Sequence, residues 1–198
     1  MTELILASGS QTRRRILQEA GAPFRAFAAD LDEDVAKDAL LARRTPLGEV
    51  ALALAELKAR QVASQHPDAL VLGADQTLIF DHDLVSKCAD LDAARVLLRR
   101  LRAHEHKLSG GLVLMRGAEI VWCHRSLASL TMRAFSDEFL ERYLAEDGDA
   151  ILSSVGCYRL EGLGGQLFES IVGDYFAILG LPLLPVLAEL RKQGVLPS

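Results

Sequence analysis

The sequence predicts an α/β fold, in which strands alternate with helices along the chain. Short apolar runs bounded by glycine, proline or polar turns indicate buried strands, and the first of them is Leu4–Ala7. Longer segments with apolar residues at helical spacing lie between these runs, and the clearest of them begins at Pro46. An alternation of this kind is typical of α/β proteins.

The elements of the first half follow from capping residues and helix breakers. The run Leu4–Ala7 ends in a Ser-Gly-Ser turn, and Ser10 is a suitable N-cap for a helix over 12–20. Gly21 and Pro23 end that helix. The other elements predicted in this half are an extended segment over 24–31, a long helix from Pro46 to the break at 66–68, a strand over 69–73 and a strand over 76–80.

The second half continues the alternation. Ser136 is placed to cap a helix over 137–144, and Arg116-Gly117 forms a hinge between two β-rich runs. The predicted elements are, in order, a turn at 81–83, a helix over 91–101, β-rich runs over 107–115 and 119–132, the helix over 137–144, a glycine-rich loop over 156–165 and a proline-punctuated helix over 182–194.

Composition limits the class of function. A chain of 198 residues, 50% of them hydrophobic, fits one globular domain over 1–198 with room for two lobes. The net charge of −5 argues against a general nucleic-acid-binding surface, and no apolar window is long enough to span a membrane. The N-terminal segment does not have the pattern of a signal peptide. Three widely spaced cysteines without a CxxC pair predict free thiols in a reducing cytoplasm and argue against a zinc site.

The opening stretch LILASGSQTRRRIL has the pattern of an anion site. The first amides of a helix lack intrahelical partners, and a strand–turn–helix junction points them at one place. The hydroxyls of Ser8 and Ser10 add donors, and the planar guanidinium of Arg13 suits phosphate. The alternative is a capped amphipathic helix with solvated arginines, and we expect Arg14 and Arg15 to face solvent in either case. The stretch contains neither a P-loop nor a dinucleotide-binding glycine pattern.

Carboxylates follow at two places. Asp75 comes just after the predicted strand 69–73, at the rim of a sheet where α/β proteins bind ligands, and is a candidate metal ligand or general base. Gly73 would let the backbone turn or a ligand approach. The segment Asp30–Val35 holds four carboxylates of a kind that binds Mg²⁺ beside phosphate sites. The alternatives are a turn-capping Asp75 and a solvated acidic loop.

Two lysines stand in unusual places. Lys58 lies inside the long predicted helix and borders its apolar stripe, which runs through Leu54 and Leu57. Lys87 lies in a short polar break. For each of them, the alternative is an ordinary surface lysine.

Taken together, these stretches resemble the Maf family of nucleoside triphosphate pyrophosphatases. The family's motifs occur in order over nearly the whole chain, as LASGSQTR at 6–13, Asp32-Glu33, Lys58-Ala59, Gly73–Gln76, Ser86-Lys87-Cys88, the glycine-rich loop GCYRLEGLGG, FESIVGDY at 168–175 and GLPL at 180–183. The chain departs from the family pattern at Gln11 and Cys88, where proline is usual, at Ser86, where glycine is usual, and at Ala177, near a frequent asparagine.

The resemblance implies a two-lobed Maf/ITPase-like fold, with a mixed twisted sheet flanked by helices and a central cleft for the nucleotide. It implies hydrolysis of a nucleoside triphosphate between the α and β phosphates, which yields a monophosphate and pyrophosphate. It further implies a homodimer and a divalent metal ion, Mg²⁺ or Mn²⁺. In that family Ser8, Ser10 and Arg13 would hold the phosphates of the substrate.

The resemblance also implies catalytic roles. Glu33 and Asp75 would lie beside the metal ion and the attacking water, with Asp75 as the base or the main metal ligand. Lys58 and Lys87 would neutralise charge on the phosphate oxygens during transfer. Positioning and charge stabilisation are the main needs of phosphoryl transfer.

Three further residues concern the base of the nucleotide. Thr12, Gln76 and Glu161 stand where the branches of the family differ, and here they resemble the branch that includes 7-methyl-GTP pyrophosphatases. A carboxylate at Glu161 accepts hydrogen bonds, and guanine presents its N1–H and N2 amino groups side by side. The sequence therefore favours a guanine-type or modified purine triphosphate.

Three other functions remain open from the sequence. One is a nucleotide-binding regulator of cell division that does not hydrolyse its ligand. Another is a phosphatase that releases single phosphates. A nucleic-acid-binding role based on the three arginines is the weakest, because the net charge is negative.

Overall fold

The computed structural model describes residues 2–197 and contains, over that range, a seven-stranded sheet flanked by helices. The strands are β1 (Leu4–Ala7), β2 (Arg25–Ala26), β3 (Leu70–Phe80), β4 (Asp83–Val85), β5 (Glu105–Arg116), β6 (Glu119–Met132) and β7 (Phe168–Val172). The helices are α1 (Gln11–Glu19), α2 (Glu33–Ala42), α3 (Leu47–Gln65), α4 (Leu91–Leu101), α5 (Asp137–Asp147), α6 (Tyr175–Ile178) and α7 (Leu183–Lys192), with short 3-10 helices at Gly148–Ser153 and Leu163–Leu167. The predicted α/β class is confirmed.

The sheet is mixed. Its strand order is β2-β1-β3-β5-β6-β7, and β4 pairs with β3 off this path. Strand β1 runs parallel to β2 and β3, whereas β4 and β7 run antiparallel to β3 and β6. The parallel register pairs Ala7 with Gly73, so β1 ends at a position where β3 continues.

Contacts divide the chain into two compact units. The first comprises Ser109–Leu127 together with the chain up to Gln76 and from Asp174 onward. In this unit the strands β1 and β3 are buried on both faces, because successive side chains point to opposite sides of a strand. Leu4 and Leu6 pack on the side of α1 and α7, whereas Ile5 and Ala7 pack on the side of α3.

The second unit comprises Thr77–Leu108 and Ala128–Gly173. Within it α4 packs against α5, and Arg95 on α4 donates to Glu141 on α5 at 2.7 Å. Its buried side chains include Leu98, Tyr143 and Cys157. Burial raises the pKa of the Cys157 thiol to about 12.

Several element boundaries differ from the predictions. The two strands predicted over 69–73 and 76–80 form one continuous strand, β3, because Gly73-Ala74-Asp75 stays extended. The acidic segment is not only a loop, since Asp32 caps α2 and accepts from the backbone N–H of Val35 at 3.0 Å. The sequence reading also missed the strands β4 and β7. Among the helices over residues 2–197, none combines the length and the hydropathy that a membrane span requires.

Candidate functional site

The candidate site begins where β1 ends beside β3 in the first unit. Ala7 pairs with Gly73, so the Ser8–Ser10 turn leaves the sheet next to Ala74 and Asp75. Asp75 was predicted to follow the end of its strand, and that prediction is wrong because β3 runs on to Phe80. Asp75 instead lies within β3, beside the point where the neighbouring strand β1 ends.

Arg13 ties three backbone segments together at this edge. Its Nη1 donates to the Ser8 hydroxyl and to the carbonyl oxygen of Ala74, both at 3.0 Å, and its Nε donates to the carbonyl oxygen of Gly180 at 2.9 Å. Burial lowers the pKa of Arg13, while the charges of Asp75 and Glu33 act in the opposite direction. An arginine keeps its charge under such a shift. Arg13 therefore brings a positive charge to the turn that follows β1.

The turn itself is ordered by its serine side chains. The Ser8 side chain is buried, and its hydroxyl accepts from the backbone N–H of Ser10 at 3.3 Å. Ser10 caps α1 as predicted and accepts from the backbone N–H of Arg13 at 3.3 Å. Arg14, expected in solvent, is half-buried and donates to the carbonyl oxygen of Ser8 at 3.5 Å, whereas Arg15 is exposed as expected.

Lys58 lies between two carboxylates. Its Nζ contacts Oδ2 of Asp75 at 2.5 Å and Oε1 of Glu33 at 2.7 Å. The other oxygen of Asp75 accepts from the backbone N–H of Gln76 at 2.6 Å. Lys58 and Asp75 are each 6% exposed, and the Glu33 side chain is 47% exposed. The acidic trio of Glu33, Lys58 and Asp75 has a net charge of −1 when all three groups are ionised.

Gly73 makes the contact between Lys58 and Asp75 possible. A Cβ at Gly73 would lie 2.1 Å from the carbonyl oxygen of Ala55 and 2.9 Å from the backbone nitrogen of Ala59. Because glycine has no Cβ, α3 can approach β3 closely enough for Lys58 to reach Asp75. The predicted apolar stripe through Leu57 is wrong: Leu57 is 38% exposed, and the buried face of α3 includes Lys58 itself.

Gln76 and Thr12 were predicted to bind the substrate, at positions where the branches of the family differ. The Gln76 Nε2 donates to the carbonyl oxygens of Ala177 and Ile178 at 2.9 and 3.2 Å. Its nitrogen is thus used within the protein, and a substrate contact would come from its oxygen. Thr12 is half-buried in the first turn of α1.

Two of the predicted residues belong to the second unit. Lys87 lies between β4 and α4, and Glu161 lies in the glycine-rich loop 156–165, where it is exposed. The structure therefore brings together Ser8, Ser10, Arg13, Glu33, Lys58 and Asp75 in the first unit, and places Lys87 and Glu161 in the second.

Sequence reasoning missed the partner of Arg13 at Gly180. Gly180 has a φ of 98°, a conformation that favours glycine, and its carbonyl oxygen accepts from Arg13. The motif GLPL at 180–183 was visible, but no sequence pattern linked it to a residue 167 positions earlier.

The sequence profile of the Maf-like protein family matches residues 3–193. The chain belongs to the Maf family. Two relatives of this Maf chain are named nucleoside triphosphate pyrophosphatase. One, from Maricaulis maris, is 50% identical over 99% of both chains, and the other, from Granulibacter bethesdensis, is 45% identical over 98% of both.

A third relative of the Maf chain carries a more specific name. The 7-methyl-GTP pyrophosphatase of Rhizobium meliloti is 48% identical over 98% of both chains. Among solved structures, a HAM1 protein from Coxiella burnetii covers 68% of this chain and 75% of its own, with a TM-score of 0.42 and 13% identity. A score of that size supports no argument about this Maf chain.

Proposed function

We propose that this protein is a nucleoside triphosphate pyrophosphatase, which hydrolyses the bond between the α and β phosphates to a monophosphate and pyrophosphate. The observation that carries the proposal is the placement of the Ser8–Ser10 turn and Arg13 beside the acidic trio. A donor-rich turn suits a polyphosphate, and the buried carboxylate of Asp75 next to it suits the activation of water. The names of the full-length relatives point to the same activity.

The chemistry follows from the residues of the first unit. Water attacks the phosphorus of the α phosphate, its proton passes to a carboxylate, and pyrophosphate leaves with the electron pair of the broken P–O bond. Asp75 is the proposed base, because it is buried and its position is fixed by two hydrogen-bond donors. Lys58 lies at Asp75 and would neutralise charge on the phosphate oxygens. Ser8, Ser10 and Arg13 would hold the polyphosphate in line for attack.

A divalent cation, Mg²⁺ or Mn²⁺, is part of the proposal. Over residues 2–197, no three His, Cys, Asp or Glu side chains are grouped to hold a metal ion by themselves. Magnesium in nucleotide enzymes is often held by one or two carboxylates together with the substrate phosphates. Glu33 and Asp75 are therefore suitable as the protein ligands of the cation. When bound, the cation would screen phosphate charge and lower the pKa of a water molecule.

The nucleobase of the substrate is proposed to be guanine or a modified purine. Glu161 would accept from the N1–H and N2 amino groups, and a 7-methyl group adds positive charge that favours an anionic partner. Thr12 and the side-chain oxygen of Gln76 are proposed as lesser contacts. Lys87 is proposed as a second charge-neutralising lysine, on the strength of the family resemblance alone.

A cytoplasmic homodimer completes the proposal. The family resemblance supports the homodimer. The free thiols of Cys88, Cys123 and Cys157 support a reducing cytoplasm. Sedimentation equilibrium over a range of concentrations would measure the state of association. The non-hydrolysing regulator is not favoured, because the relatives are named as pyrophosphatases.

Turnover on a panel of nucleotides tests the proposal. The panel would hold the common NTPs and dNTPs and 7-methyl-GTP, with Mg²⁺ or Mn²⁺, and phosphate release would be followed with and without added inorganic pyrophosphatase. We expect phosphate only with the added enzyme. Phosphate without it would indicate a phosphatase, and no turnover with nucleotide binding retained would favour the regulator.

The variant Asp75→Asn tests the proposed base. It keeps the size of the side chain but cannot take a proton, and we expect turnover to fall by roughly 10³-fold or more. The matched control is Asp68→Asn, the same change at an exposed turn of the same unit, which should keep full activity. Full activity in Asp75→Asn would end the assignment.

A further inference from the structure

A buried polar pair in the second unit has no part in the chemistry proposed above. His106 on β5 is 1% exposed, and its Nε2 lies 3.0 Å from the Tyr158 hydroxyl, with which it shares a hydrogen bond. Tyr158 is 7% exposed and lies in the glycine-rich loop, just before the turn that carries Glu161. The pair therefore links a strand of the sheet to that loop.

The histidine is a costly way to fill this position. Within the part of the chain that the structure describes, the other ring nitrogen, Nδ1, is buried and has no hydrogen-bond partner. An unpaired buried polar atom destabilises the folded protein, and an apolar side chain of similar size would avoid that loss. What His106 supplies and an apolar residue would not is the bond to the Tyr158 hydroxyl.

Tyr158 is held from several sides. Its ring makes an edge contact with Phe168 at a centroid distance of 4.9 Å, and a Cβ at Gly156 would lie 2.2 Å from its ring. Its backbone N–H donates to the Ser154 hydroxyl at 3.2 Å, and that hydroxyl is 3.1 Å from its carbonyl oxygen. Together with the bond to His106, these contacts hold both the ring and the backbone of Tyr158.

The turn after Tyr158 sets the path of the chain at Glu161. The backbone N–H of Gly162 donates to the carbonyl oxygen of Arg159 at 3.3 Å. Gly164 packs on the same residue, because a Cβ there would lie 2.5 Å from the Arg159 carbonyl oxygen. Since Arg159 directly follows Tyr158, a shift of the tyrosine would move the segment that carries Glu161.

We propose that His106, acting through Tyr158, is a positioning residue that fixes the glycine-rich loop and so the place of Glu161 in base recognition. This inference rests on the proposed function. His106 touches no reacting group and is not a catalytic residue. We expect His106 to affect which nucleotide binds. The proposed general base Asp75 and its partner Lys58 belong to the first unit.

The test compares Tyr158→Phe and His106→Leu with the unaltered protein. Tyr158→Phe removes the hydroxyl but keeps the ring packing. His104→Leu is the matched control, because His104 is an exposed histidine two residues away. One readout is hydrogen–deuterium exchange of amides 158–162, which we expect to become roughly tenfold faster in both test variants and to stay unchanged in the control.

The second readout is substrate selectivity, measured with 7-methyl-GTP, GTP and UTP. We expect Tyr158→Phe to raise KM for the guanine nucleotides roughly fivefold, with kcat within about twofold. In a Glu161→Gln background, Tyr158→Phe should have no further effect on selectivity, because Tyr158 acts on selectivity by positioning the carboxylate that Glu161→Gln has removed. A merely structural role would give equal losses in both backgrounds.

The outcomes separate this inference from the proposed function. Unchanged loop exchange, or an equal effect of Tyr158→Phe with and without Glu161, would overturn the inference while leaving the activity in place. If the unaltered protein hydrolyses no triphosphate, the proposed function fails, and the recognition role fails with it. Faster loop exchange would then be a property of the fold alone.

Discussion

At the scale of single residues, Lys58 is the side chain with the most unusual position. It occupies the buried face of α3, yet it carries a charge that two carboxylates balance. A buried charge is tolerated when it is paired and hydrogen-bonded, and the loss of one partner leaves the other uncompensated. The acidic trio is therefore a structural element as well as a proposed catalytic group.

The variant Lys58→Met tests this dual role. It should lower the free energy of unfolding by roughly 3 kcal/mol, because it leaves Asp75 buried without its cation. Lys37→Met is the matched control, since Lys37 pairs with the exposed Asp34 at 2.6 Å and should cost less than about 1 kcal/mol. Urea denaturation measures both values.

A second substitution makes the Lys58 test specific. Asp75→Asn removes the negative charge that Lys58→Met leaves unpaired. The double variant should therefore be more stable than Lys58→Met alone. Losses that simply add in the double variant would show that Lys58 acts through its packing and not through Asp75.

At the scale of elements, the close approach of α3 to β3 positions the proposed site. It depends on Gly73, which lacks the Cβ that would collide with the backbone of Ala55 and Ala59. A glycine beside buried strand residues is usually read as a turn or a place for a ligand, and here it is a helix-packing position.

The pair of substitutions Gly73→Ala and Gly48→Ala tests this packing. Gly73→Ala should destabilise by roughly 3 kcal/mol and reduce turnover, because α3 must move away from β3 and carry Lys58 with it. Gly48, also in α3, has no atom within 4 Å of an added Cβ, so Gly48→Ala should be neutral or stabilise by up to about 1 kcal/mol. Equal melting temperatures for the two variants would contradict the packing explanation.

The same elements mark what the sequence could predict. Caps such as Ser10 and Ser136 and the long apolar strands are local patterns, and the structure has them where expected. The continuity of β3 through Asp75 was not predictable from local signals, because Gly73 looked like a strand end. Nor was the bond from Arg13 to Gly180, which depends on packing between distant segments.

At the scale of the whole molecule, the negative charge of the protein has to be reconciled with the anionic substrate that the family resemblance implies. The chain is acidic, with a net charge of −5, and its proposed substrate is a polyanion. Attraction must therefore be local, and Arg13 and Lys58 supply it where the turn after β1 meets β3. The three relatives described above match 98% or more of this chain at up to 50% identity, so the resemblance extends over both compact units.

The stability of the whole molecule should also depend on pH through His106. Burial lowers the pKa of His106 to about 4, so the folded protein keeps this ring neutral where the unfolded chain, with a pKa near 6.5, takes up a proton. The free energy of unfolding should therefore fall as the pH drops from 6.5 to 4, by up to about 3 kcal/mol from this residue.

Other groups titrate in this range, and burial also lowers the pKa of His124, so the quantity to measure is the difference between the unaltered protein and His106→Leu in urea denaturation at each pH. The free energy of unfolding of the unaltered protein minus that of His106→Leu should fall toward pH 4. Parallel stability curves for His106→Leu and the unaltered protein would mean that His106 is not kept neutral by burial.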